Sequence, residues 1–313
     1  MDPVVSVIIP HFNRAERLAQ TAATVLAQSF QQWELIIVDD NSPQDPVPPL
    51  QAILSDERVR LIRQPQNRGP SAARNVGVSV ARGRFVAFLD SDDAWDANKL
   101  QSQVDLVLSS GDPDGVICTT RTRKVSPHGE SVAPDRGVVE GEDFSDYLII
   151  NGGVAQTSSI LVSRSAAEKI TFAEDMRQFE DYLFFIKAGG IGLKHILAPD
   201  PLVIWYNDER PDRLSKGSDR SWGNAVLFLQ RADGLISKNS EICFLTKHIA
   251  PIYLKEKGLM SLPTFVKSLR RGFIKWHAFV WLLIKSWIPG AYDLWSNIRS
   301  AKSRRLLLKK SSA

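Results

Sequence analysis

The sequence predicts an α/β fold: a mixed, mainly parallel sheet with helices on both faces, followed by a C-terminal helical tail. Strand-like and helix-like segments alternate over roughly the first 110 residues, the order a parallel sheet requires. The strand-like runs are apolar throughout instead of alternating with polar residues, which suits strands buried on both faces. From Lys255 onward the pattern becomes that of a basic, Trp-rich amphipathic helix. The expected organisation is a main domain over residues 1–254 and a tail over 255–313.

Residues 4–9, 34–38, 59–62 and 85–89 are the buried strands expected. Between the first two, Asn13 is placed to cap a helix, with Glu16 three residues on as the other half of a capping box. Leu18, Ala22, Val25 and Leu26 follow at helical spacing. A second helix is expected over 70–81, opened by Pro70 and ended near Gly83, and a third over 99–108. Residues 111–153 are rich in turns, with short strands such as 116–120. Strands over 158–162 and 202–206 and a helix over 178–188 complete the set. In the tail, Leu262, Phe265, Val266, Leu269, Phe273 and Trp276 share one helical face, and Lys267, Arg270, Arg271 and Lys275 share the other.

A core of this size, in a chain of 313 residues, folds without disulfides. Two cysteines without metal-type spacing, Cys118 and Cys243, fit a reducing compartment and argue against a disulfide-framed secreted protein. The start lacks the basic and apolar stretches of a signal peptide. The longest apolar run, residues 278–284, is far below the ~18 residues of a membrane span. The net charge of +4 is unevenly spread: residues 255–313 carry 13 Lys/Arg against 2 acidic residues, and residues 1–254 carry 26 against 33. Four of the eight tryptophans lie between 276 and 295. This composition suits a helix lying in a membrane interface, so a cytoplasmic protein held peripherally at the membrane is expected. The alternative is a stripe packed on the main domain. A basic arm for nucleic acid would not carry the Trp cluster, and no nucleic-acid partner is expected.

Candidate chemistry gathers where apolar strands end. The run Phe85-Val-Ala-Phe-Leu-Asp90-Ser91-Asp92-Asp93 closes a strand in three carboxylates. Such a cluster repels itself unless a cation joins it, and hard oxygen ligands suit Mg2+ or Mn2+ shared with substrate phosphates. Open α/β sheets bind ligands at this edge. A solvated acidic turn is the plainer alternative. Residues Asp39-Asp40-Asn41-Ser42 end the second strand, where a carboxylate can accept from a ribose hydroxyl or a base N–H, or simply build a turn. Asn67-Arg68-Gly69-Pro70 opens a helix, offering free N–H groups to an anion, and Arg74 on it has a guanidinium suited to a diphosphate. Glu180-Asp181 begins another helix, as a general base or as first-turn acids facing the helix dipole. Dinucleotide, P-loop, serine-hydrolase and zinc-protease motifs are absent, and the five histidines are scattered.

Together and in this order, these segments resemble the family-2 glycosyltransferases, with the A-type, Rossmann-like glycosyltransferase fold, over roughly residues 4–210. The stretches that carry the resemblance are Val5-Ser-Val-Ile-Ile-Pro10-His-Phe12-Asn13, Ile37-Val-Asp39-Asp40-Asn-Ser42, Ala73-Arg74-Asn75 with Gly77, and Phe88-Leu-Asp90-Ser91-Asp92-Asp93. The resemblance implies a nucleotide-sugar donor, UDP-linked by preference, and a divalent cofactor, Mn or Mg. It implies that Pro10 and Phe12 line the nucleobase pocket and that Asp40 binds the base or ribose. Arg74 would lie on the diphosphate side. Asp90-Ser91-Asp92 matches the D-x-D motif, with Asp90 and Ser91 toward ribose or sugar, Asp92 on the metal and Asp93 an additional candidate. Asp181 matches the catalytic base of inverting members.

The Q-x-x-R-W motif of processive synthases is missing, which argues for addition of a single sugar, to a glycan or lipid-linked acceptor. Some relatives place a histidine near the metal where this chain has Asn207-Asp208-Glu209-Arg210, and the loop through Arg213 and Ser215 is a candidate to close over the diphosphate. A nucleotidyltransferase would carry a basic Gly-rich loop where Pro10-His11-Phe12-Asn13 stands. A non-catalytic nucleotide-sugar or membrane-surface binding module is the alternative from another class.

Overall fold

The computed structural model describes residues 2–207 and 222–249, with Val266 and Arg270 singly in helix. The chain divides into two compact units, Met1–Ser237 and Lys238–Ala313. The first unit begins with β1 (Val5–His11), α1 (Ala15–Leu26), β2 (Trp33–Asp39), α2 (Val47–Leu54), β3 (Val59–Arg63), α3 (Pro70–Val80) and β4 (Phe85–Phe88). It continues through β5 (Ala94–Trp95), α4 (Lys99–Ser109), the hairpin β6 (Val116–Ser126) and β7 (Gly129–Ala133), β8 (Leu161–Ser163), α5 (Arg164–Ile170), α6 (Glu180–Gly190), β9 (Lys194–Tyr206) and α7 (Trp222–Arg231). Of the second unit, α8 (Lys238–Phe244) and a helical turn over Leu245–Ile249 are described.

The sheet runs β3-β2-β1-β4-β8-β6-β9-β5, with β7 beside β6. The first four strands are parallel, and β8 joins β4 antiparallel. Every residue of β1, β2 and β4 is buried, as strands covered on both faces require. Val5, Val7 and Ile9 pack on one face with Leu18, Ala22 and Val25 of α1 and Leu100, Val104 and Val107 of α4. Alternation turns Ile8 to the other face, against Gly77 of α3. Because β2 and β3 lie on one side of β1 and β4 on the other, the order reverses between β1 and β4. The crevice at that switch point, outside the carboxyl ends of the strands, is where such sheets bind ligands.

Several elements differ from expectation. Asn13 does not cap α1: its φ is 53°, and its amide donates to the Ser42 hydroxyl at 2.8 Å. Arg14 precedes the helix, without a side-chain cap. α2 and α5 were not expected. The prolines that hide α2 in the sequence sit at its first turn, where a missing N–H costs nothing. β6 is longer than residues 116–120 because it pairs with β7 on one edge and, across a bulge, with β9 on the other. The tail of 255–313 and the segment containing Asp208, Arg213 and Ser215 lie outside the described residues, apart from Val266 and Arg270. Among the described residues, no helix is long and apolar enough to cross a membrane.

α3 sits close to β1 because Gly77 has no side chain: a Cβ there would lie 2.3 Å from Cγ2 of Ile8. Gly77→Ala is therefore expected to destabilise the protein by about 1–3 kcal/mol in denaturant titration, the cost of overpacking a filled interior. An unchanged midpoint would show that α3 can move away from the sheet freely.

Candidate active site

The loops after β1 and β2 are tied together. Asn13 and Asn41 both take left-handed backbone angles, φ 53° and 61°, which Asn tolerates better than most residues. The Ser42 hydroxyl accepts from the Asn13 amide and donates to the Asp39 carboxylate. Pro10 is buried near the end of β1, while Phe12, just past it, is 45% exposed.

Asp40, just past β2, is buried. One carboxylate oxygen accepts from the Gln64 amide at 2.7 Å and the Arg68 N–H at 2.8 Å, and the other from the Gly69 N–H at 2.7 Å. Gly69 has φ 89° and ψ 167°, a conformation open essentially to glycine, so the chain enters α3 over this carboxylate. Burial raises the pKa of Asp40, against the pull of the two backbone N–H groups.

β4 ends in the turn Asp90–Asp93, closed by the Asp93 N–H on the Asp90 carbonyl at 3.1 Å. Asp92 lies toward α1, with the Arg14 guanidinium 3.3 Å from its carboxylate and Arg17 donating to its carbonyl at 3.3 Å. Ser91 is buried and its carbonyl faces the Thr21 hydroxyl at 3.1 Å. Asp93 is buried and accepts from Ser158 at 2.6 Å and Gln156 at 2.9 Å.

Arg74 brings the remaining carboxylates together. Its guanidinium, 4% exposed on α3, donates to Asp90 at 2.6 Å, lies 3.5 Å from Glu180 and stands over the Phe172 ring at 5.0 Å. Burial works against its charge, but Asp90, Glu180 and then Asp181 outweigh that, and its pKa is raised. Glu180 and Asp181 open α6 behind Phe179, which is held left-handed at φ 65° beside the rings of Tyr182 and Phe228. A bulky residue in that conformation is strained, and such strain clusters at sites where direction matters. Burial, then the neighbouring Glu180, pushes the Asp181 carboxyl up to about 7. Burial raises Glu180 as well, against the pull of Arg74.

Asp90 and Glu180 thus meet at Arg74, with Asp181 near enough to feel its charge, while Asp92 and Asp40 make their hydrogen bonds elsewhere, with Arg14 and Arg17 at the start of α1 and with the loop before α3. Arg14, Arg17 and Ser158 were not singled out from sequence, and Glu180 was named only within the Glu180-Asp181 pair, without a role of its own. His195 is excluded as a ligand by its partners: Thr119 lies 2.7 Å from one ring nitrogen, the Val138 N–H donates to the other, and burial lowers its pKa to about 4.

Among the described residues, no group of three or more His, Cys, Asp or Glu side chains could cage a metal ion. The donor set at Asp92 is a hard carboxylate on a turn at the ligand-binding edge. That fits Mg2+ or Mn2+ held by one or two carboxylates, with phosphate and water completing the shell.

With this geometry in place, the family is decided by comparison. The model of glycosyl transferase family 2 matches residues 6–171, which include all of β1 but Val5, α3 and the Asp90–Asp93 turn. The chain belongs to glycosyl transferase family 2. It is similar to the amylovoran biosynthesis glycosyltransferase AmsB of Erwinia amylovora, 31% identical over 220 residues, covering 68% of this chain and 72% of that one. It is also similar to WfgD of Escherichia coli, a UDP-Glc:α-D-GlcNAc-diphosphoundecaprenol β-1,3-glucosyltransferase. There the identity is 38% over 109 residues, 35% of this chain and 43% of the relative. Among solved structures, TarS of S. aureus in complex with UDP-GlcNAc aligns with TM-score 0.63 at 19% identity, covering 86% of this chain and 80% of that chain. The mannosyltransferase PcManGT of Pyrobaculum calidifontis, in complex with GDP-Man and Mn2+, aligns with TM-score 0.55 at 18% identity, covering 96% and 85%. These two likenesses show the fold of this glycosyltransferase. Membership of the family makes the chain an enzyme and sets aside the nucleotidyltransferase and binding-module readings.

The raised carboxyl of Asp181 links the site to stability. A carboxyl with an ordinary value of 3.8 unfolded and about 7 folded favours folding while protonated, and that contribution is lost as pH rises from about 4 through 7. Asp181→Asn is expected to flatten the fall in stability over this window and to raise Tm at pH 8 by about 2–6 °C. The check is thermal unfolding of both proteins from pH 4 to 8. Parallel profiles would contradict a raised Asp181.

Proposed function

We propose that this glycosyltransferase transfers one sugar from a nucleotide-sugar donor to a hydroxyl of a lipid-linked glycan acceptor, with inversion, in assembly of a surface polysaccharide. The observation that carries it is Asp181, a carboxyl poised near neutrality beside the Arg74–Asp90 pair. A base works best when its pKa lies near the working pH. The donor class, UDP-sugar by preference, and the lipid-linked acceptor draw support from WfgD, which uses UDP-Glc and a diphosphoundecaprenol-linked sugar, and from the UDP-GlcNAc bound by TarS. The polysaccharide setting draws on AmsB.

In this reading Pro10 and the exposed Phe12 face take the base. Asp40 has used three of about four acceptor positions on the loop before α3, leaving one for a base N–H or ribose hydroxyl. Arg74 serves the donor through Asp90, which it orients toward the ribose or sugar beside Ser91. Asp92 holds a divalent ion, Mn2+ or Mg2+, which supplies charge compensation for the departing diphosphate. Asp181 takes the proton from the acceptor hydroxyl as that oxygen attacks the anomeric carbon. The bond to the nucleoside diphosphate breaks with its electron pair on the leaving oxygen, so one displacement inverts the centre. The basic, Trp-rich residues 255–313 hold the enzyme at the cytoplasmic face of the membrane, beside a lipid-borne acceptor.

Asp181→Asn is expected to lower turnover by about 10^2–10^4-fold, the usual contribution of a positioned base, while donor affinity stays within about twofold. The proton NMR spectrum of the wild-type product should show the anomeric configuration opposite to that of the donor. Near-normal turnover in the variant, or a retained anomer, would overturn the assignment.

A further inference from the structure

The turn that carries Asp90, Ser91 and Asp92 is held at both its ends by a residue with no part in the motif. Ser158 lies on a short helical turn, Thr157–Ser159, that leads into β8 beside β4, and its side chain is fully buried. Its hydroxyl oxygen accepts the Asp90 N–H at 3.1 Å, at the first residue of the turn. The same hydroxyl donates to the Asp93 carboxylate at 2.6 Å, at the last. Gln156 donates to that carboxylate at 2.9 Å. The Ser158 carbonyl in turn receives the Trp95 indole N–H at 2.8 Å, just beyond the turn. On the side of α1, the Thr21 hydroxyl lies 3.1 and 2.8 Å from the carbonyls of Ser91 and Asp93.

A hydroxyl is the side-chain group that can accept from an amide and donate to a carboxylate with a single atom. An ionised carboxylate only accepts, so Asp93 needs a donor where the Asp90 amide needs an acceptor, and Ser158 answers both. The turn is thereby held at both ends, and Asp90 and Asp92 project from the backbone between them.

We propose that Ser158, seconded by Gln156, is the positioning residue that orients Asp90 toward the ribose or sugar of the donor and Asp92 toward its metal-bound diphosphate. It rests on the reading of Asp92 as the metal-binding carboxylate. Outer partners of this kind typically govern metal affinity by about 10–100-fold.

The test is calorimetric binding of whichever of UDP, dTDP and GDP binds the wild type most tightly, at graded Mn2+ concentrations. The full-length wild type is compared with Ser158→Ala, Ser158→Thr and Gln156→Ala. Ser158→Ala is expected to raise the half-saturating Mn2+ concentration about tenfold or more, with nucleotide affinity at saturating Mn2+ within about threefold. Ser158→Thr, which keeps the hydroxyl, should return to within about threefold. Gln156→Ala, at a partly exposed site, should move about threefold the same way and carries the test if Ser158→Ala fails to fold. A wild-type Mn2+ response in both alanine variants, whatever their Tm, overturns the positioning role alone. A wild type that binds no nucleotide in a Mn2+-dependent way overturns the donor reading and the positioning role with it.

Discussion

Arg74 carries its charge beneath the switch point of the sheet, 2.6 Å from Asp90 and 3.5 Å from Glu180, and the site is arranged about that cation. Asp90 ends a strand and Glu180 and Asp181 begin a helix ninety residues later. Without a positive group between them these carboxylates would repel. A buried pair of this kind adds little net stability, yet removing one partner strands the other charges in a poor solvent. Its value is geometric: it joins the strand-end carboxylate to the helix that carries the candidate base. α3 can deliver the guanidinium because Gly77 lets that helix approach β1 closely.

Around this centre the backbone is set by local devices. Asp40 holds the loop before α3 through two amides, and glycine at 69 permits the sharp entry into the helix. Two left-handed asparagines and Ser42 lock the loops after β1 and β2 together. Left-handed Phe179 aims the first turn of α6. Rigid strand ends thus present polar groups to a crevice that a flexible loop alone would leave unaligned.

The four parallel strands were legible because burial on both faces leaves an unbroken apolar run, and α3 because Pro70 opens it and Gly83 marks its end. α2 was hidden by prolines that read as breakers yet are harmless in a first turn. Asn13 with Glu16 matched a capping pattern, but sequence spacing does not reveal the sign of φ. The positions of the acidic motifs could be read. Their partners could not, since Arg74 with Glu180 and Ser158 with Asp93 are contacts across 106 and 65 positions that only the folded sheet creates. For Arg74, expected on the diphosphate side, the carboxylate partners Asp90 and Glu180 are what the sequence did not reveal.

The claim at the centre of this account is that Arg74 stays with Asp90 and Glu180 while Asp92 holds the ion and the diphosphate. The most direct measurement is an anomalous-difference map at the manganese edge, from crystals grown with Mn2+ and a nucleotide-sugar donor. One peak is predicted about 2 Å from the Asp92 carboxylate, as hard oxygen ligands require, with Arg74 still bonded to Asp90 and paired in charge with Glu180. A manganese ion bound away from Asp92, or Arg74 swung out onto the diphosphate, would contradict it.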